Sequence, residues 1–233
     1  MDPSPQMLVL GVTWYVAFLF SLTFHEAAHA LAAYRLGDPT AYLGGQVTLN
    51  PIPHIKREPF GTILMPVITF FLSGWMMGWA SAPYDPYWAA RHPRRSGWMA
   101  LAGPAANLTL VLIVGVTLRV GMSFEIFQPP ISWSFSQVVA GTGGLSDPIA
   151  QLLSILFSLN LVLFAFNLLP LPPLDGASAL AIILPETTAL KLMDFLRQPM
   201  VGLIGLLIGW RAFDYFFRPI YVVALSILFA GLG

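Results

Sequence analysis

The chain contains no cysteine. Disulfides, thiolate metal sites and cysteine nucleophiles are therefore excluded. It is also poor in charge: Asp, Glu, Lys and Arg make up 9% of its 233 residues, where a soluble domain averages roughly 25%. The 11 acidic and 11 basic residues cancel and form no basic run. That excludes the electrostatic footprint of a nucleic-acid surface. The opening MDPSPQM holds no Lys or Arg. A cleavable signal peptide needs a basic start, so the apolar run that follows is expected to be retained. No internal repeat and no appended soluble domain is visible, so residues 1–233 read as a single membrane domain. In place of charge the sequence has long apolar runs, with 57% hydrophobic residues and a mean hydropathy of +0.74. The expected fold class is an all-α polytopic membrane protein with about four to six transmembrane helices, its partner the lipid bilayer.

Residues 8–35 carry the most informative pattern. As a helix this stretch is about 42 Å long, enough to cross a hydrocarbon core of roughly 30 Å. Its second half holds His25, Glu26 and His29. Polar groups at membrane depth are costly and mark function by default. The two histidines stand at i and i+4, one above the other on a helix face, so both imidazoles can reach one metal ion. Glu26 lies one residue round from His25, placed to act on water at that metal without ligating it. This is the HExxH spacing of zinc hydrolases.

Along the rest of the chain, Gly37 and Pro39 end the first helix. Residues 40–49 contain two short β-prone runs around Gly44-Gly45 and read as a small membrane-associated β-hairpin. Its edge, at Leu43, Gly44, Gly45, Gln46 and Val47, could pair with an extended substrate main chain. Residues 60–80 read as a second span. A third covers roughly 97–120, with Asn107 needing a polar partner at depth. A fourth runs from about 149 to Asn167. After it, Pro170, Pro172 and Pro173 break the helix ahead of Asp175. Asp175 is either an N-cap at the surface or a carboxylate carried on unwound backbone inside a protein-lined cavity. The catalytic core then covers about 8–184. The apolar pieces at 199–212 and 219–232 fit one broken span, two re-entrant pieces, or a span plus a surface helix.

These motifs together resemble the site-2 protease family of intramembrane zinc metalloproteases. The resemblance rests on HEAAH, on NPIPH with a following PFGT, on GPAAN and on NLLPLPPLDG, in that order over roughly residues 20–180. It is to the compact prokaryotic type without PDZ or CBS domains. It implies a multi-pass protein of a prokaryotic cell membrane, one Zn2+ per chain and proteolysis of transmembrane protein or peptide substrates. It makes His25, His29 and Asp175 the metal ligands and Glu26 the catalytic base. Asn107, Asn167 and His54 match positions near the site, as oxyanion or neighbouring hydrogen-bond groups.

Elementary chemistry agrees. Catalytic zinc takes three protein ligands and leaves one position open. HEAAH supplies two, and Asp175 is the carboxylate set in an apolar, unwound element, with His54 its competitor. A serine-type site would need a buried Ser–His pair, but Ser73 has only His92 of a polar loop to offer. An aspartyl-type site would need two buried Asp. A catalytically inactive relative or a metal transporter is the other class, and Glu26→Gln separates it from a protease. With residues 60–80 crossing the membrane, Arg91, Arg94, Arg95, Lys191 and Arg197 fall on one side and Arg35, Lys56, Arg57 and Arg119 on the other, and five against four sets no orientation.

Overall fold

The computed structural model describes residues 4–231. The first helix, α1 (Pro5–Leu36), starts where Ser4 Oγ accepts the Met7 N–H at 3.2 Å. It stops at Gly37, whose φ of 106° is a left-handed value that glycine tolerates without cost. Three further helices are long and apolar enough to cross a membrane: α6 (Pro93–Ser123), α7 (Ser146–Asn167) and α10 (Pro199–Phe229). The expected all-α polytopic architecture is observed, with four spans. The C-terminal apolar pieces are one continuous helix, with Pro219 inside it.

Two expectations are corrected. Residues 40–49 form no hairpin. Thr40–Leu43 is a single helical turn, α2. Asp38 causes this: its Oδ1 accepts both the Thr40 N–H (3.0 Å) and the Thr40 hydroxyl (2.5 Å), which starts a turn. Gly44, Gly45 and Gln46 then donate back to Thr40, Tyr42 and Ala41. All these bonds are local, so no strand edge exists at Leu43–Val47. Residues 60–80 do not span either. A π-helical turn, Phe60–Leu64, leads into α4 (Met65–Ser73), which ends at Gly74 with φ 79°. The helical stretch Phe60–Ser73 covers only about 21 Å. From Trp75 to Asp85 the chain has no regular secondary structure.

Short elements fill the remainder: α3 (Pro51–Arg57), α5 (Pro86–Arg91), α8 (Asp175–Ala179), a 3-10 turn (Leu180–Ile182) and α9 (Glu186–Leu196). Among the described residues, the only named strands are β1 (Phe127–Gln128) and β2 (Ala140–Gly141), an antiparallel pair in the loop between α6 and α7. That loop folds inward. Ser136 Oγ accepts from Trp14 Nε1 at 3.0 Å, and Val139 N–H donates to Ser154 Oγ at 3.2 Å.

Cross-helix contacts define the arrangement. His29 meets Met99 and His25 meets Asn107, so α1 and α6 are antiparallel. Phe166 meets Phe213 edge to face and Ser158 meets Tyr221, so α7 and α10 are antiparallel as well. The ends of α1 and α7 and the starts of α6 and α10 therefore share one side. At the other side, Arg119 of α6 donates to the Leu228 and Ala230 carbonyls that close α10. Since 60–80 does not cross, Arg35, Lys56, Arg57, Arg91, Arg94, Arg95, Lys191 and Arg197 all gather on the first side. The five-to-four division becomes a strong asymmetry.

Small residues and aromatics do the packing. Lipid offers helices no hydrophobic drive to associate, so close approach has to come from small side chains and shape. On α1 the buried face includes Ala17, Ser21, Ala27, Ala30 and Ala33, while Leu8, Val9, Val12, Val16 and Phe20 face outward. One cluster joins Trp14 and Phe18 of α1 to Phe70, Met76, Ile155 and Leu159. A second joins α6, α7 and α10 through Val111, Leu118, Phe157, Phe213 and Phe217.

Candidate metal centre

α1 places His25 and His29 on its buried face, one turn apart, with Glu26 buried beside them. Asp175 is the first residue of α8, directly after the proline-broken segment 168–174. That segment has no regular structure; Leu174 is buried, while Leu168, Pro170 and Pro173 are exposed. Gly176 permits the tight return: a Cβ there would overlap the Leu168 carbonyl.

Three ligand atoms converge. His25 Nε2 lies 3.0 Å from His29 Nε2, and the Asp175 Oδ2 atom lies 3.2 Å and 3.3 Å from them. For ligands roughly 2.0–2.1 Å from a tetrahedral zinc, the edges of the tetrahedron are about 3.3 Å. The triangle is the right size for one face of such a site. These three residues form the one such His/Asp/Glu group that could hold a metal among the described residues.

The hydrogen bonds behind the triangle show what its atoms carry. Asn160 Nδ2 donates to the Leu156 carbonyl (2.8 Å) and to Ser21 Oγ (2.8 Å), which leaves Asn160 Oδ1 as acceptor. Asn107 Nδ2 donates to it at 2.8 Å. Asn107 Oδ1 therefore faces His25 Nδ1, 2.6 Å away, and that nitrogen must be N–H. His29 Nδ1 likewise donates to the Met99 carbonyl at 2.8 Å. With both protons on Nδ1, both Nε2 atoms present lone pairs. Two lone pairs and a carboxylate oxygen thus point at one spot, and Asp175 Oδ2 is buried with no hydrogen-bond donor. A single proton could bridge only one edge of this triangle, whereas a divalent cation satisfies all three.

Gly103 makes room. A Cβ at that position would overlap the Nε2 atoms of both His25 and His29. Glu26, 4% exposed, has no ion-pair partner among the described residues.

The remaining candidates separate. Asn107 is fully buried and orients His25. Asn167 is half-buried and bonds only along its own helix, to the Leu163 carbonyl at 3.0 Å. His54 is buried in α3, and its Nε2–H donates to the Thr48 carbonyl at 3.1 Å. It stands outside the triangle. Gln46 is buried and ties its loop to the Pro53 carbonyl (3.1 Å), Leu43, Gly44 and Gly45 are exposed, and Val47 is half-buried. Sequence reasoning missed Gly103, Asn160, Ser21 and the Met99 carbonyl. Asn160 carried a signal, as a lone amide in an apolar run. A backbone carbonyl carries none.

Comparison with known proteins gives the family. Residues 13–208 match the model of peptidase family M50. The chain is 39% identical over 178 residues to a Bacillus subtilis (strain 168) protein named "Putative zinc metalloprotease YwhC", covering 76% of this chain and 71% of the relative. It is 30% identical over 205 residues to "Putative zinc metalloprotease Rip2" of Mycolicibacterium smegmatis, covering 88% and 70%. The Rip2 protein of Mycobacterium tuberculosis strain H37Rv, under the same printed name, is 29% identical over 208 residues, covering 88% and 70%. No solved structure matches the chain. A family match across most of the chain, together with two histidines of a membrane helix and a distant aspartate that close a zinc-sized triangle, places this multi-pass membrane protein in peptidase family M50.

Proposed function

We propose that the protein is an intramembrane zinc metalloprotease that hydrolyses peptide bonds in or near transmembrane segments of other proteins, with the four spans acting as one catalytic domain. The observation that carries this reading is the convergence of two imidazole lone pairs and a buried, donorless carboxylate oxygen beside a buried glutamate. His25, His29 and Asp175 would hold one zinc ion, which supplies Lewis-acid polarisation of water and of the scissile carbonyl. Asn107 and the Met99 carbonyl hold the two rings in the ligating tautomer. Glu26 takes the proton of the attacking water and returns it to the leaving amine. Its burial and lack of a cationic partner keep the carboxylate available for that transfer.

The location of the centre supports this substrate class. His25 and His29 lie roughly 10–17 Å of helix rise inside the end of α1, so a reacting peptide bond would come from within the bilayer. Helices hide their peptide bonds, so the substrate has to be extended locally. The irregular segment 75–85 is placed to hold it. It touches Phe18 at Gly78, and Asp85 N–H reaches Asp38 Oδ2 at 2.8 Å. It therefore runs along α1 past the height of HEAAH. Between Gly78 and Tyr84, only the Trp79 N–H has a main-chain partner among the described residues, Gly61 at 3.2 Å. Unpaired main chain at this depth favours pairing with an extended peptide. The eight basic residues gathered on the side where α1 ends make that side cytoplasmic by the positive-inside rule.

The test is Glu26→Gln in purified protein, with zinc content and cleavage of a model transmembrane peptide measured together. A protease of this design keeps about one zinc per chain and loses cleavage by roughly 10²-fold or more. Cleavage by the Glu26→Gln variant at the wild-type rate, or zinc-free wild type, overturns the reading. Zinc flux without proteolysis in the wild type would indicate a transporter instead.

A further inference from the structure

The third ligand poses a mechanical problem. Asp175 follows seven residues without regular structure, in which Leu174 N–H to the Leu171 carbonyl is the only main-chain bond made wholly within the segment. Loops of this kind drift unless something outside them holds their position. On one flank α6 does so, with Gly97 against Ile182. On the other flank stands α10, and the contact there is unusually close. A Cβ at Gly205 would overlap the Pro172 carbonyl oxygen and lie 2.9 Å from its ring carbons Cγ and Cδ. The helix backbone and the loop backbone are therefore in direct contact, three residues ahead of the ligand. Nearby glycines on the same helix are not under this constraint. A Cβ at Gly202 would come no closer than 3.9 Å to Pro173, and one at Gly209 no closer than 3.6 Å to Phe166. Both distances are ordinary van der Waals contact.

We propose that Gly205 is a positioning residue for the metal centre: the bare backbone of α10 at this position is the stop against which the Pro172 segment sets the Asp175 carboxylate opposite His25 and His29. This rests on the zinc reading above and goes beyond it, because it gives the last span a role in holding the ligand triangle. Adding one methyl group at 205 must move either α10 or the loop, since the obstructing atom is a backbone oxygen that cannot rotate away. The buried, donorless Asp175 Oδ2 is then carried off the triangle. By linkage the effect runs both ways. If seating α10 tightens the zinc site, zinc tightens the seating of α10 by the same factor.

The experiment compares Gly205→Ala with Gly202→Ala and Gly209→Ala in full-length protein, reading zinc affinity by competition with a chromogenic chelator. The three changes share the same gain in helix propensity, so that contribution cancels. The expected result is a loss of roughly 10–100-fold in zinc affinity for Gly205→Ala alone, with the other two within about twofold of wild type. Equal affinities for all three variants, in a wild type that does bind zinc, overturn the role of Gly205 and leave the metal reading standing. A wild type that binds no zinc overturns both. Because Gly205→Ala could fail to fold, amide exchange of the wild type with and without zinc gives a second reading. Zinc should slow exchange across 202–209 and 168–174 but not across 219–229. Protection confined to α1 and Asp175 would overturn the proposal.

Discussion

Replacing Asn107 by Ala tests the proton inventory on which the metal centre depends. The side chain is fully buried and serves two partners: Oδ1 accepts from His25 Nδ1 at 2.6 Å, and Nδ2 donates to Asn160 Oδ1 at 2.8 Å. Its removal leaves one buried donor and one buried acceptor. Each orphaned group costs about 1–3 kcal/mol. A water entering the vacated space can serve both, so the net loss for the zinc-free protein is expected near about 1–3 kcal/mol rather than the sum. The larger consequence is for the ligand. Without a fixed acceptor, His25 can rotate or place its proton on Nε2, where it blocks coordination. Loss of such an orienting partner weakens metal binding by roughly 10–100-fold, or about 1.4–2.8 kcal/mol. Chelator competition on purified protein reads this directly, with thermal unfolding of the zinc-free form recorded in parallel. Asn167→Ala is the control, because Asn167 bonds only to the Leu163 carbonyl of its own helix. Zinc affinity unchanged in Asn107→Ala, or lowered equally in both variants, would refute the assignment of Nδ1–H to His25.

Three further outcomes are expected. Gly103→Ala should lose zinc almost entirely while staying helical by circular dichroism, because its methyl group occupies the space of both Nε2 atoms. Stripping zinc from the wild type should lower its melting temperature, with about 4 kcal/mol of stabilisation regained at free zinc a thousandfold above Kd; His25→Ala and Asp175→Asn should show no such dependence. Arg119→Gln should lower the melting temperature by several degrees, mainly through the lost part-buried, charge-assisted bond to the Leu228 carbonyl, worth roughly 1.5–3 kcal/mol, and should leave zinc affinity unchanged.

The membrane character, the first span and the HEAAH face could be read from the sequence because they rest on local facts. Apolar length decides whether a helix can cross, and i, i+4 spacing decides which side chains share a face, wherever the rest of the chain lies. The breaking of the helix before Asp175 is local in the same sense, since prolines cannot continue it. Three matters were decided only in three dimensions. Residues 40–49 have the composition of a hairpin, but Asp38 supplies competing local bonds to Thr40 and winds a helical turn instead. Residues 60–80 are apolar enough to span, but Gly74 ends the helix and Gly78 is drawn against Gly61 and Phe18, so the polypeptide turns back and the basic residues fall on one side. The centre itself comes from pairings 53–150 residues apart, from Asn107 with Asn160 to His25 with Asp175. No periodicity encodes these contacts. They exist because the packed helices bring buried polar atoms together, where each donor must find an acceptor and the unanswered lone pairs collect at a single point.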